Sequence, residues 1–395
     1  MNYSKITLKN DKDKSLRRFH PWVFSGAIAN ADANLEEGDI VDVFSKNDKY
    51  LGTGHYQIGS ISVRVFEFEQ QEITVDYWKS KFVTAIELRN SLGLLNAKDT
   101  NIFRLIHAGG DYMPGLIVDF YNGTVVIQCH SIGMWKLRFV FTYILKDLLG
   151  SKLVAVYDKS SETLPFKADL APKNEYLFGA ENALKSGLEF NNKFAIDWET
   201  GQKTGFFIDQ RENRELLANY SKGKKVLNTY CYSGGFSIFA LNKGASLVHS
   251  VDSSQKAIDL VENNVNLIPE LADKHESFVS DSLEFLTQTE EEYDIIILDP
   301  PAFGKHKRVR HKAVQGYKRL NAKAMKKIKK GGLIFTFSCS QIVDKQLFSN
   351  TINAAAIEAR RKVRVLHQLH QPADHPVNLA QPESEYLKGL VIQVL

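Results

Sequence analysis

Ile295-Ile296-Ile297-Leu298-Asp299-Pro300-Pro301-Ala302-Phe303 is the stretch on which the reading of this 395-residue chain turns. An unbroken apolar run predicts a strand buried on both faces, as in a parallel sheet. The prolines end it, because proline brings no N–H to a ladder. A second apolar run, Leu333 to Phe337, ends in Ser338-Cys339-Ser340. In an open α/β sheet, ligands and chemistry collect at the carboxyl ends of the strands. The two runs therefore predict a carboxylate and a thiol facing one crevice.

Working outward, strands and helices alternate from about residue 188. Val226-Leu227-Asn228, Leu247 to Asp252 and Ser277-Phe278-Val279 read as further strands with helical stretches between most of them. That alternation predicts a parallel, doubly wound sheet. Val363 to Leu369 and Leu387 to Leu395 leave no room for a crossover helix and predict an antiparallel hairpin. A parallel sheet closed by such a hairpin is the pattern of class I methyltransferases, so residues 188–395 are expected to form an α/β Rossmann-like domain. Residues 1–72 carry short strands punctuated by Gly, Asn and Asp and predict a small β-barrel. Residues 73–187 predict a central α+β domain, with helices over Tyr77 to Leu92 and Met134 to Leu149 and an Asn122-Gly123 hairpin turn.

Composition narrows the class without naming a function. Hydrophobic residues make up 44% and charged residues 24%, ordinary for a globular protein. The net charge of +4 does not by itself demand nucleic acid. Cys129, Cys231 and Cys339 are widely spaced, which disfavours a zinc site or a disulfide framework and fits a reducing cytoplasm. No metal is expected. The first ten residues lack the apolar core of a signal peptide, and no run approaches membrane-spanning length. A cytoplasmic protein is the expectation.

The strand at Lys225 runs into Asn228-Thr229-Tyr230-Cys231-Tyr232-Ser233-Gly234-Gly235-Phe236, and a helix follows. Glycines at such a turn let the backbone approach a ligand and aim N–H groups at it. Asp252, ending the next strand, is placed for ribose hydroxyls, and Asp281 for the exocyclic amine of adenine. Either acid alone is as readily a helix N-cap. The glycine spacing is not the phosphate-binding fingerprint, so S-adenosylmethionine fits better than NAD. The expected cofactor contacts are Tyr230, Ser233, Gly234, Gly235, Phe236, Asp252, Ser253, Asp281, Ser282 and Asp299. Phe207, Gln210 and Arg211, in the segment Thr204 to Arg214, are expected over the cofactor; packing of Phe206 and Phe207 on the sheet is the plainer alternative.

Cys339 and Asp299 supply the chemistry. A thiolate added to C6 of a cytosine makes C5 nucleophilic, and an acid at N3 assists the addition. Cys339 is the expected nucleophile and Asp299 the N3 contact; the base that later removes the C5 proton is left open. Asp299-Pro300-Pro301 also suits direct methylation of an amino group, which needs no cysteine. Pro300 and Phe303 are candidate base contacts, with Phe303 either stacking on a flipped base or packing in its loop. From Lys305 to Lys330 the chain has many Lys and Arg and no acid. Lys305, Lys307 and Arg308 are the expected phosphate contacts, and the later lysines read as a solvated helix face. Arg17, Arg18 and His20 lie in a second basic patch. The expected partner is therefore RNA.

His20-Pro21-Trp22-Val23-Phe24-Ser25-Gly26, Gly234-Gly235-Phe236, Asp299-Pro300-Pro301, Ser338-Cys339-Ser340 and Ala373-Asp374-His375-Pro376 together resemble the RlmI-type bacterial 23S rRNA 5-methylcytosine methyltransferases. The resemblance spans essentially the whole chain. It implies an N-terminal PUA domain, a central α+β domain, a C-terminal methyltransferase domain, large-subunit rRNA as substrate, and Cys339 as nucleophile. It also implies a loop at His375 near the base, touching substrate or ordering the loop. An amino-directed RNA methyltransferase and a non-catalytic RNA-binding or assembly factor are the competing readings. Whether the chain acts as a monomer or a homodimer is open.

Overall fold

The computed structural model describes residues 3–165, 170–304 and 306–395. Their contacts form two compact units that do not follow chain order. The first comprises Met1–Leu188, Ile196–Ile208 and Ala373–Glu385. The second comprises Glu189–Ala195, Asp209–Pro372 and Tyr386–Leu395. The second unit begins just after residue 188, and two later segments, Ile196–Ile208 and Ala373–Glu385, belong to the first. Buried polar groups hold them there. Thr204 Oγ1 donates to Asp119 at 2.6 Å. The backbone N–H of Arg104 donates to the Asp374 carboxylate at 2.9 Å, and Arg89 donates to the Asp374 carbonyl at 2.7 Å.

Within the first unit, the N-terminal residues form a six-stranded sheet. Its order is Trp22–Phe24, Ile61–Glu67, Tyr50–Tyr56, Ile40–Phe44, Ser4–Leu8, Ile28–Ala31. Val41 with Val43, Val63 with Val65, and Ile6 with Leu8 point inward at alternate positions and are fully or nearly fully buried. A second core belongs to the five-stranded central sheet. Leu116–Tyr121 and Thr124–Cys129 pair antiparallel across Asn122-Gly123, whose φ angles of 48° and 90° are those of a type I′ hairpin turn. Helix Val75–Ser91 is capped by Thr74, whose side chain accepts from Tyr77 N–H. It buries Trp78, Phe82 and Ala85, and the Phe82 ring lies 5.2 Å from that of Phe141. The second expected helix is two, Ile132–Lys136 and Arg138–Leu149.

The second unit is built on seven strands in the order His275–Val279, Leu247–Asp252, Lys225–Thr229, Tyr293–Leu298, Ile328–Ser338, Lys388–Val394, Val363–His370. The first five are parallel. Lys388–Val394 runs antiparallel to both its neighbours, which is the expected terminal hairpin. Ile295 to Leu298 are essentially inaccessible, as the apolar run requires. Chain direction across the sheet reverses at Lys225–Thr229, which lies between Leu247–Asp252 and Tyr293–Leu298. That is the switch point where an α/β sheet opens a crevice at its strand ends. Asp209, Gln210 and the helix Arg211–Ala218 belong to this unit. The helix is held by a buried two-pronged pair, Arg214 to Glu189, at 2.7 and 2.8 Å.

Candidate active site

The turn after Lys225–Thr229 is backbone-strained. Tyr230 and Tyr232 have φ of 55° and 47°, a region that residues with side chains rarely enter, and Gly234 has φ of 76°. Asp252 helps to hold this shape: its Oδ2 accepts from Tyr232 N–H at 3.1 Å and its Oδ1 from Ser254 N–H at 3.0 Å. Asn264 donates to the Ser233 carbonyl at 2.8 Å. Helix Gly235–Asn242 begins immediately, and a Cβ at Gly235 would meet Arg214 Cδ at 3.0 Å. Asp281 caps the helix Ser282–Gln288 by accepting from Leu283 and Glu284 N–H. Asp281 therefore carries the N-cap role that sequence allowed, whereas Asp252 does not, because Ser254 caps the helix Gln255–Val265. The charges of both acids act on one side chain. Burial, and then the charges of Asp281 and Asp252, push the Tyr230 hydroxyl up to about 12. Ser253 is exposed, Ser233 and Ser282 are buried, and the Phe236 ring packs 5.7 Å from Phe337.

Asp299 and Cys339 stand at the ends of neighbouring parallel strands. Leu298 pairs with Thr336, so the two segments leave the sheet side by side. Ser340 Oγ donates to the Gly304 carbonyl at 2.7 Å, tying the two exit loops together. Gln210 Nε2 donates to Asp299 Oδ2 at 2.9 Å, and Asn213 donates to Gln210 Oε1 at 2.7 Å, fixing the amide. Desolvation, then the charge of Asp209, raises the Asp299 carboxyl to about 7. The Cys339 thiol is pushed up to about 11 by burial, then by Asp299 and Asp209, against the opposing charge of Lys388. Lys388 Nζ donates to the Ser340 carbonyl at 2.7 Å. An acid that keeps its proton up to about pH 7, one strand over from a half-buried thiol, is equipment for proton-assisted addition to a ring.

The other expected positions divide. Gln210 and Arg211 are buried in the second unit, whereas Phe207 belongs to the first. Pro300 is buried, and the Phe303 ring packs 4.6 Å from that of Tyr317 and against Gly316, the packing alternative. Arg308 is exposed; Lys305 lies outside the described residues, as does the side chain of Lys307. The later lysines behave as a helix face, with Lys318 paired to Glu358 at 2.8 Å. Arg17 is paired to Asp13 at 2.7 Å, Arg18 is exposed, and His20 hydrogen-bonds Glu383 at 3.2 Å. His375 is 1% exposed, its ring beside Asp374 and 5.0 Å from His107 in the first unit. Both histidines belong to the first unit, His375 within its Ala373–Glu385 segment. Sequence reasoning passed over Asp209, Tyr386 and Lys388. Asp209 is adjacent to Gln210 in a segment already read as functional, and Tyr386 donates to it at 2.7 Å. Among the described residues no cluster of His, Cys, Asp or Glu could hold a metal ion, and no helix is long and apolar enough to cross a membrane.

Comparison with known proteins agrees with this geometry. Residues 6–68 match the PUA-like domain family, and residues 164–387 match the S-adenosylmethionine-dependent methyltransferase family. Proteins named ribosomal RNA large subunit methyltransferase I, from Alteromonas mediterranea and Shewanella denitrificans, are each 36% identical over 99% of both chains. Two solved structures share the fold at 23% identity over the full length of both chains. One, assigned as a SAM-dependent methyltransferase from Streptococcus mutans, superposes with a TM-score of 0.82, and the other, also only assigned as a methyltransferase and complexed with SAH, with 0.83. With its PUA-like N-terminal domain, its seven-stranded methyltransferase sheet and full-length relatives, the chain belongs to the ribosomal RNA large subunit methyltransferase I family of S-adenosylmethionine-dependent methyltransferases.

Proposed function

We propose that this chain methylates carbon 5 of a cytosine in large-subunit ribosomal RNA through a covalent bond between Cys339 and carbon 6. The observation that carries the reading is the pairing of Leu298 with Thr336, which sends Asp299 and Cys339 out of adjacent strand ends. When bound, S-adenosylmethionine supplies a methyl group on a positively charged sulfur. Asp252 and Asp281 suit its ribose hydroxyls and adenine amine, and Gly234-Gly235 suit close backbone approach. The Cys339 thiol releases its proton to solvent and adds to carbon 6 as the thiolate, while Asp299, neutral below about pH 7, gives its proton to N3. That addition moves electron density onto carbon 5, which then takes the methyl group. Arg308 and the basic helix start beyond it suit the RNA backbone.

The reading is tested by incubating the protein with 23S rRNA and labelled S-adenosylmethionine, then identifying the labelled nucleoside by mass spectrometry. Label in 5-methylcytidine supports it. Label on a purine nitrogen favours the amino-directed alternative that Asp299-Pro300-Pro301 also suits.

A further inference from the structure

The covalent route needs a base for the carbon 5 proton, and four polar residues link Asp299 to the segment that carries Cys339. Gln210 holds Asp299, and Asp209 is the next residue in the chain. Tyr386 holds Asp209 Oδ2 at 2.7 Å. Two residues beyond Tyr386, Lys388 pairs with Ser338 in the sheet register and holds the Ser340 carbonyl. Gln210, Asp209, Tyr386 and Lys388 thus lead by hydrogen bonds and chain adjacency from the acid to the thiol, all within one compact unit. Asp209 is half-buried, with Oδ2 fixed by Tyr386 and Oδ1 accepting no hydrogen bond from any described residue.

The other groups of this ring are unsuited to the task. The Lys388 ammonium donates and has no lone pair to accept with. Asp299 has given its proton to N3 by this stage, is committed to taking that proton back, and is engaged by Gln210. Burial lifts the Tyr317 hydroxyl to about 12, which keeps its proton on.

We propose that Asp209 is the base that removes the proton from carbon 5 after methyl transfer, an assignment that rests on the covalent reading above. Asp209 Oδ1 takes the carbon 5 proton, and the C–H electron pair forms the C5–C6 double bond. The bond from C6 to the Cys339 sulfur breaks, the sulfur leaves as thiolate, and the N3 proton returns to Asp299. The negative charge of Asp209 acts on both Asp299 and Cys339.

The test is Asp209→Asn in the full-length protein with 23S rRNA and labelled S-adenosylmethionine. Cofactor binding by calorimetry stays within a few-fold of wild type. Turnover falls by roughly 10²–10⁴-fold, the usual scale for a general base. Labelled methyl accumulates in a protein–RNA adduct that survives denaturation. Asp209→Glu, which keeps the carboxylate, restores part of the turnover and removes the adduct. Wild-type turnover in Asp209→Asn overturns the assignment. So does loss of cofactor binding without adduct, which would make Asp209 a cofactor ligand. Methyl transfer by Cys339→Ala would instead overturn the covalent reading itself, whatever Asp209 does.

Discussion

The side-chain amide of Gln210 donates to Oδ2 of Asp299 at 2.9 Å, and it does so to a carboxyl whose burial favours the neutral form. The ordinary value of this carboxyl is 3.8, and in the fold it is about 7. The unfolded chain therefore releases this proton at lower pH than the folded one. The stability it contributes is complete below about 3.8 and is lost as pH rises through about 7. The gap corresponds to at most roughly 4 kcal/mol. Asp299→Asn cannot titrate, so its stability relative to wild type is expected to improve steadily between pH 4 and 7. Urea unfolding across that range checks this; a difference independent of pH contradicts it.

Lys388 lies 6% exposed with its ammonium on the Ser340 carbonyl, and its charge opposes the rise in the Cys339 thiol. Replacing it with Met removes that opposition. Less thiolate at a given pH means slower alkylation. Iodoacetamide labelling of Cys339 at pH 9, followed by peptide mass spectrometry, is expected to slow on the order of threefold in Lys388→Met. Equal or faster labelling would show that the lysine does not act on the thiol.

Arg89 is fully buried, and its guanidinium meets Asp111 at 2.6 and 2.8 Å. Arg89→Met leaves the Asp111 carboxylate enclosed without its partner, at a cost of about 3–5 kcal/mol. It also removes the donor to the Asp374 carbonyl. Denaturant unfolding is expected to show this loss, with part of it recovered in Arg89→Met combined with Asp111→Asn. Limited proteolysis of the single variant is expected to begin within Ala373–Glu385. Unchanged stability would remove the pair from the account of why that segment belongs to the first unit.

The strand ends were legible because buried parallel strands write themselves as apolar runs, and the residue after each run marks the crevice. Asp299, Cys339, Asp252 and the turn at Gly234 were read as strand-end positions in this way, and the strands end there. Lys388 was not, because its approach to Ser340 depends on an antiparallel register across 48 residues that no local pattern encodes. Asp209 was passed over in favour of its neighbours Gln210 and Arg211, since a short polar segment does not say which side chain turns inward. His375 was placed by resemblance near the base. Its burial with His107 rests on arginines some 270 residues earlier in the chain, a long-range pairing invisible to spacing. Phe303 shows the same limit, for its ring is held by Tyr317 on a helix that sequence read mainly for its charge.

The central claim is that Cys339 bonds to carbon 6 of the target base. The most direct measurement uses 23S rRNA carrying 5-fluorocytidine, because fluorine at carbon 5 cannot leave as a proton does and the sulfur stays bound after methyl transfer. Wild-type protein with S-adenosylmethionine is expected to give a protein–RNA complex that survives denaturing electrophoresis, with mass spectrometry locating the link at Cys339. Cys339→Ala is expected to give none, with methyl transfer to natural rRNA lowered at least ~10³-fold, the scale of losing a covalent nucleophile. Methyl transfer at an undiminished rate by Cys339→Ala, or no complex with the wild-type protein, would contradict the account.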